Sequence, residues 1–91
     1  MKAGILASGA VLAIGVATAA QAQRADCDAL WEQRNAIFKS AGYCFKTSDA
    51  IRRFGNAGCR YDDPDDVPLS ARDRRIVADL QAAERRYGCR R

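Results

Sequence analysis

Histidine is absent from this 91-residue chain, and with it the side chain that most often moves protons near neutral pH. No nucleophile–base pair can be picked out, and no spacing nominates two carboxylates to work together. An enzyme is therefore not expected, nor a cofactor. Four cysteines are present, but no two form a Cys-x-x-Cys pair. Without that spacing and without histidine, a structural zinc site lacks its ligands. Strict alternation of apolar and polar residues is missing, which argues against a sheet. The small apolar residues of a lipoprotein cleavage signal do not precede Cys27, so no lipid anchor is expected. Residues 23–91 contain no repeat and no low-complexity tract.

What is there begins with a leader. Met1-Lys2 is a short basic start, Ile5 to Ala20 is almost wholly small or aliphatic, and Ala20-Gln21-Ala22 is a small-x-small site. This is the layout of a secretory signal peptide over residues 1–22, with an apolar run shorter than the ~20 residues that span a bilayer. Cleavage after residue 22 of 91 leaves 69, read as a single domain over residues 23–91 with no transmembrane segment. The expected location is periplasmic or secreted. A domain this small buries only about 60% of its unfolded surface, so covalent staples are expected. All four cysteines, Cys27, Cys44, Cys59 and Cys89, lie in this part. An even count in an exported chain reads as two disulfides.

With Lys2 removed, 14 basic side chains face 11 acidic ones, and 12 of the 14 are arginine. This mild excess suits anionic surfaces such as envelope polymers. Acids alternate with bases along most of the chain, so a mixed, solvated surface accounts for much of it. Export argues against nucleic acid, and the mixed charge argues against a membrane-active peptide.

Three helices follow from the pattern, giving an all-α domain. Asp26 or Asp28 is placed to cap the first, after a polar leader over Gln23 to Asp26. Cys27, Leu30, Trp31, Ile37, Phe38 and Ala41 fall on one broad face, and Gly42 stops the helix. A short second helix is capped by Thr47 or Ser48 and directs Ile51 and Phe54 to the core. Gly55-Asn56-Ala57-Gly58 breaks it, and Cys59-Arg60-Tyr61 is extended or turn-like. Asp62, Asp63, Asp65 and Asp66 invite a calcium reading, but Pro64 interrupts them and no central Gly or closing Glu follows. A solvated loop is expected, without metal. Ser70 and Asp73 resemble a capping box for the third helix, whose stripe is Ile76, Leu80, Ala83 and Tyr87, with Val77 beside it, before Gly88 ends it.

Helix geometry limits the disulfide pairing. Cys27 and Cys44 flank the first helix, about 25 Å apart at ~1.5 Å per residue. A disulfide needs Cα atoms within roughly 7 Å, so this pair and its complement are excluded. Cys44–Cys59 with Cys27–Cys89 is preferred, because antiparallel packing of the first and third helices brings the latter two together. Cys27–Cys59 with Cys44–Cys89 stays open as the alternative.

Arg34 and Asn35 stand where apolar residues belong. A buried guanidinium must be paired, and Asp73, Asp79 and Glu84 are the candidate partners. Asn35 is expected to bond backbone in the neighbouring loop. The preferred reading is a polar clamp that sets the register of the first helix; an anion-binding groove is the functional rival. Trp31, Tyr43, Phe45, Phe54 and Tyr61 would suit a sugar-stacking platform, but at this size they are expected to form the core.

The stretch from Arg34 to Phe45 resembles the signature of the YARHG domain family, R-N-x-I-Y-A-R-H-G-Y-x-F. Arg34, Asn35, Ile37, Gly42, Tyr43 and Phe45 keep its frame, and Phe38 stands at its first tyrosine. Ser40 and Ala41 replace the family Arg and His. Phe54 matches a family aromatic, Arg60-Tyr61 matches a Trp-Tyr pair, and Leu69-Ser70 opens the last part, so the likeness covers Leu30 to Glu84. It implies an extracytoplasmic, mostly helical domain of unknown molecular function that accompanies peptidases and kinases in bacterial envelope proteins. The added cysteines imply a disulfide-stabilised branch. If the family Arg or His carried a function, this chain lacks it. The functional expectation is an exported, non-catalytic domain that binds a cell-envelope component. The alternative is a secreted or periplasmic inhibitor of another protein.

Overall fold

A computed structural model of the chain describes residues 18–90. The first helix, α1, is Ala19–Ser40 and so starts well ahead of the expected Asp26 or Asp28. Thr18 and Gln21 form a complete capping box: the Thr18 hydroxyl accepts from the Gln21 N–H, and the Gln21 side chain accepts from the Thr18 N–H. That box and the alanine-rich turn after it favour helix, and no Gly or Pro interrupts before Asp26. The expected leader over Gln23 to Asp26 is helix instead. Residues 1–17, which hold most of the expected signal peptide, lie outside the described residues.

The end of α1 is as expected and can be assigned bond by bond. Gly42 has φ 95°, a left-handed conformation that side chains with a Cβ disfavour. The Gly42 N–H donates to the Lys39 carbonyl at 3.2 Å and the Tyr43 N–H to the Phe38 carbonyl at 3.1 Å. These are the two bonds of a Schellman motif. The hydrophobic contact that often accompanies it is present as well: the Phe38 and Tyr43 rings meet edge to face, 5.7 Å between centroids.

Helix α2 is Ser48–Phe54, capped by the Thr47 hydroxyl, which accepts from the Ala50 N–H. Its inward residue is Ala50, while Ile51 is 42% exposed. The expectation that Ile51 enters the core is thus corrected: Ile51 lies about 100° round the helix from Ala50, and Ala50 with Phe54 one turn later sets the inner face. Phe54 stacks on Phe45 at 5.2 Å and meets Trp31 at 5.8 Å.

Between α2 and the last helix the chain returns beside Tyr43. The Cys44 N–H donates to the Tyr61 carbonyl, while the N–H groups of Arg60 and Tyr61 both donate to the Gly42 carbonyl. The result is an isolated parallel bridge between Tyr43 and Tyr61, and no strand forms among the described residues. A short 3₁₀ turn, Pro64–Asp66, carries the acidic loop, capped by the Asp63 carboxylate. Helix α3 is Ala71–Arg86, with the Ser70 hydroxyl accepting from the Asp73 N–H. It ends on a second Schellman motif: Gly88 (φ 68°) donates to the Arg85 carbonyl and Cys89 to the Glu84 carbonyl.

Helices α1 and α3 pack antiparallel, as the Cys27–Cys89 disulfide at one end of the pair requires, and α2 packs on α1. Among the described residues Phe45, Ala50, Val67, Val77 and Leu80 are the buried apolar ones, and no side chain is completely sealed from solvent. Tyr87, expected in the α3 stripe, is 42% exposed. Gly88 turns the chain so that Cys89 reaches Cys27 of α1, while Tyr87 meets α1 through its carbonyl, which accepts from the Gln23 side chain. So small a core explains the two staples. The preferred pairing is the one found, with Cα separations of 5.5 Å for Cys27–Cys89 and 5.1 Å for Cys44–Cys59. The fold is thus an all-α, three-helix domain stapled by two disulfides.

Candidate functional site

Arg34 projects from α1 toward α3. Its Nε donates to one Glu84 carboxylate oxygen at 2.7 Å and its Nη2 to the other at 3.0 Å. The two side chains are only 19% and 12% exposed. Of the three candidate partners, Glu84 is the one used, and the fork geometry locks the register of α1 against α3.

Asn35, 7% exposed, is the buried polar residue of the core. Its Nδ2 donates to the Trp31 carbonyl at 2.9 Å, one turn back in the same helix. The expected bond to the neighbouring loop is therefore corrected. Asn56 ties that loop instead: its Oδ1 accepts from the Phe45 N–H at 2.6 Å and its Nδ2 donates to the Phe45 carbonyl at 3.0 Å. Asn56 thus pairs with a stretch of backbone as a neighbouring strand would. In sequence it reads only as a turn residue among glycines. Lys39 adds a bond to the Gly55 carbonyl from the other side.

Beside these groups lies a cleft of about 290 Å³ between α1, α3 and the segment that enters α2. Arg34, Asn35, Phe38, Tyr43 and Phe45 of the signature all line it, with Trp31 and, from α3, Gln81. The remaining signature residues stand elsewhere. Ile37 is half-buried and its carbonyl accepts from the Ala41 N–H. Gly42 packs against Tyr61, whose ring lies under the Arg60 guanidinium at 5.7 Å. The four cysteines sit at the two staples and none is free. Gln81 of α3 is a cleft residue that no local pattern reveals.

Charge in the cleft is largely cancelled. Arg34 is held by Glu84, and Lys46 at the rim pairs with Asp62 at 2.7 Å. The aromatic rings make one connected set, Trp31–Phe54–Phe45–Tyr43–Phe38. Within this set Phe45 is buried, while Trp31, Phe38, Tyr43 and Phe54 are half-buried, and Trp31, Phe38 and Tyr43 keep part of their surface on the cleft, so the expectation of an aromatic core holds only in part. A second cleft, about 460 Å³, lies at the Cys27–Cys89 end between Gln23, Arg24 and Tyr87. No cluster of acidic, thiol or imidazole groups among the described residues is arranged to hold a metal ion. No described helix is long and apolar enough to cross a membrane.

A family model for the YARHG domain matches residues 8–85. The chain belongs to the YARHG domain family. No curated protein and no solved structure matches it. In this YARHG domain the signature acquires a physical meaning. Phe38 is the residue three before the cap, Gly42 the left-handed one after it, and Tyr43 the one that folds back onto Phe38. Ser40 and Ala41, which stand at the family Arg and His, are the last helical residue and its cap. Their side chains are not part of the stop, so it survives their replacement.

Proposed function

We propose that this YARHG domain is exported, is not a catalyst, and binds a component of the bacterial cell envelope in the cleft beside Arg34 and Asn35. The observation that carries the proposal is that cleft. Five signature residues converge on it, and it combines aromatic surface with a few polar groups, the usual make-up of a binding pocket. With every thiol in a disulfide and no histidine, it offers recognition groups without an activated nucleophile. The disulfides call for an oxidising compartment, and the apolar leader with its Ala20-Gln21-Ala22 site supplies a route to one.

Two measurements test this. Fractionation of the producing cell should place the protein outside the cytoplasm, with an N-terminus at Gln23. Purified, oxidised protein should sediment with isolated sacculi, and recovery only in the supernatant overturns the binding reading. The rival reading, an inhibitor of another protein, draws on exposed Ile51 beside Arg52 and Arg53 on α2. Capture of one defined periplasmic protein, lost on Ile51→Ser, would favour it.

A further inference from the structure

We infer that the Cys27–Cys89 end of the helix pair is a second binding surface, which docks on the anionic headgroups of a phospholipid bilayer. It does not use the cleft beside Arg34 and shares with the proposed function only the export of the chain.

Unpaired positive charge gathers at this end. Four of the last seven residues are arginine, Arg85, Arg86, Arg90 and Arg91, and the Cys27–Cys89 bond ties residues 85–90 to α1. Arg24 of α1 and Arg90 line one cleft there, together with Tyr87. The cluster is thus assembled from two segments far apart in the chain, and the Gln23 bond to the Tyr87 carbonyl joins the same segments again. Arg24, Arg85, Arg86 and Arg90 are exposed, and among the described residues none of them is in an ion pair. Of the acids nearby, Glu84 is spent on Arg34, which leaves Asp26 and Asp28 of α1. Elsewhere cations and acids are matched. Arg52 pairs with Asp49, Arg53 with Glu32 and Lys46 with Asp62. Arg72 and Arg75 stand among Asp73 and Asp79 on α3 and follow the acidic turn Pro64–Asp66.

Helix electrostatics accounts for only part of this cluster. Arg85 and Arg86 suit the negative end of the α3 dipole. Arg24 sits in the second turn of α1, toward the positive end, where a cation gains nothing from the helix, and Arg90 lies beyond α3. The acidic turn stands at the other end of α3, about 24 Å away at 1.5 Å per residue. The domain therefore carries opposite charge at its two ends, and an anionic plane draws it with the disulfide end foremost. Tyr87, 42% exposed beside these arginines, is of the type that settles at the headgroup level of a bilayer. The apolar leader joins α1 at this end, so an exported chain meets the membrane here first.

The test is sedimentation of the exported, oxidised protein with vesicles of phosphatidylcholine, alone or mixed with phosphatidylglycerol. The mixed vesicles should carry the protein down and the neutral ones should not. Binding should vanish toward 1 M salt, where charges are screened within about 3 Å. Arg85→Gln, Arg86→Gln and Arg90→Gln in one chain should weaken partitioning roughly a hundredfold, at about fivefold per arginine beside an anionic leaflet. Arg52→Gln, Arg72→Gln and Arg75→Gln remove the same charge away from the disulfide end and should weaken it far less. Arg85→Lys, Arg86→Lys and Arg90→Lys should keep the binding, because a charged plane responds to charge and not to guanidinium geometry. All these positions are exposed, so each variant should melt with the wild type by circular dichroism. Equal loss in the two glutamine variants, loss in the lysine variant, or equal binding to neutral vesicles overturns the inference. So does binding of soluble polyphosphate without binding of the mixed vesicles.

Discussion

Arg34 and Glu84 give the sharpest test of whether the polar pair in α1 holds the domain together. Arg34→Ala would leave the Glu84 carboxylate at 12% exposure without its partner. Breaking a fully buried pair from one side costs about 3–5 kcal/mol, and a hydrogen bond to a charged group is worth about 1.5–3 kcal/mol. Water still reaches this pair, which lowers the figure, so we expect ~2–3 kcal/mol for either single substitution. In a domain of 60–100 residues each kcal/mol moves the melting temperature by about 4–8 °C. Arg34→Ala and Glu84→Ala should therefore each lower Tm by roughly 10–20 °C. The double substitution Arg34→Met with Glu84→Leu removes both charges and keeps volume, so it should be more stable than either alanine variant. Thermal melts by circular dichroism at fixed ionic strength, assembled into a double-mutant cycle with alanine at both positions, read the coupling directly. If both alanine variants melt within about 3 °C of wild type, the clamp reading is refuted and Arg34 is free for another role.

Further outcomes rest on the staples and the packing. Peptide mapping of unreduced protein should recover Cys27–Cys89 and Cys44–Cys59. Replacing both cysteines of a pair by Ala should cost about 4 kcal/mol for the first and about 3 kcal/mol for the second, since the longer ring restricts the unfolded chain more. Gly42→Ala forces a Cβ into left-handed backbone, 3.4 Å from the Tyr61 ring, and should cost about 1–2 kcal/mol in urea denaturation. Asn56→Ala strips partners from both backbone groups of Phe45, and amide hydrogen exchange should show lost protection at Phe45, with about 1–3 kcal/mol of destabilisation for each group left unpaired. Leu80→Ala should cost about 2–5 kcal/mol, whereas Ile51→Ser, on a surface position, should change stability by less than about 0.5 kcal/mol.

Local signals in the sequence were sufficient wherever a local bond decided the structure. Gly42 and Gly88 announce their helix ends because only a residue at ease with positive φ suits that place. Thr47 and Ser70 announce helix starts because their hydroxyls reach N–H groups three residues on. Even the disulfide pairing follows from the length of one helix. Misreadings arise where identity and position pull apart. Thr18 and Gln21 are a good capping box, but they lie in a stretch whose composition reads as an export leader. Ile51 and Tyr87 are apolar by type, yet neighbouring residues, Ala50 and Cys89, take the inward directions. Asn56 and Gln81 carry no local pattern at all. One acts through backbone eleven residues away, and the other enters the cleft only because α3 is laid across α1.

The Cys27–Cys89 bond, whose halves are 62 positions apart in the chain, has a mechanical consequence. Tension applied to the two ends of the chain runs through the sulfur bridge and bypasses residues 28–88. Pulled from both sides, the oxidised domain acts as a link whose attachment points stay 5.5 Å apart. Once reduced, the same segment can pay out ~200 Å of chain. Reduction therefore opens residues 28–88 to a pull from which the oxidised bridge shields them.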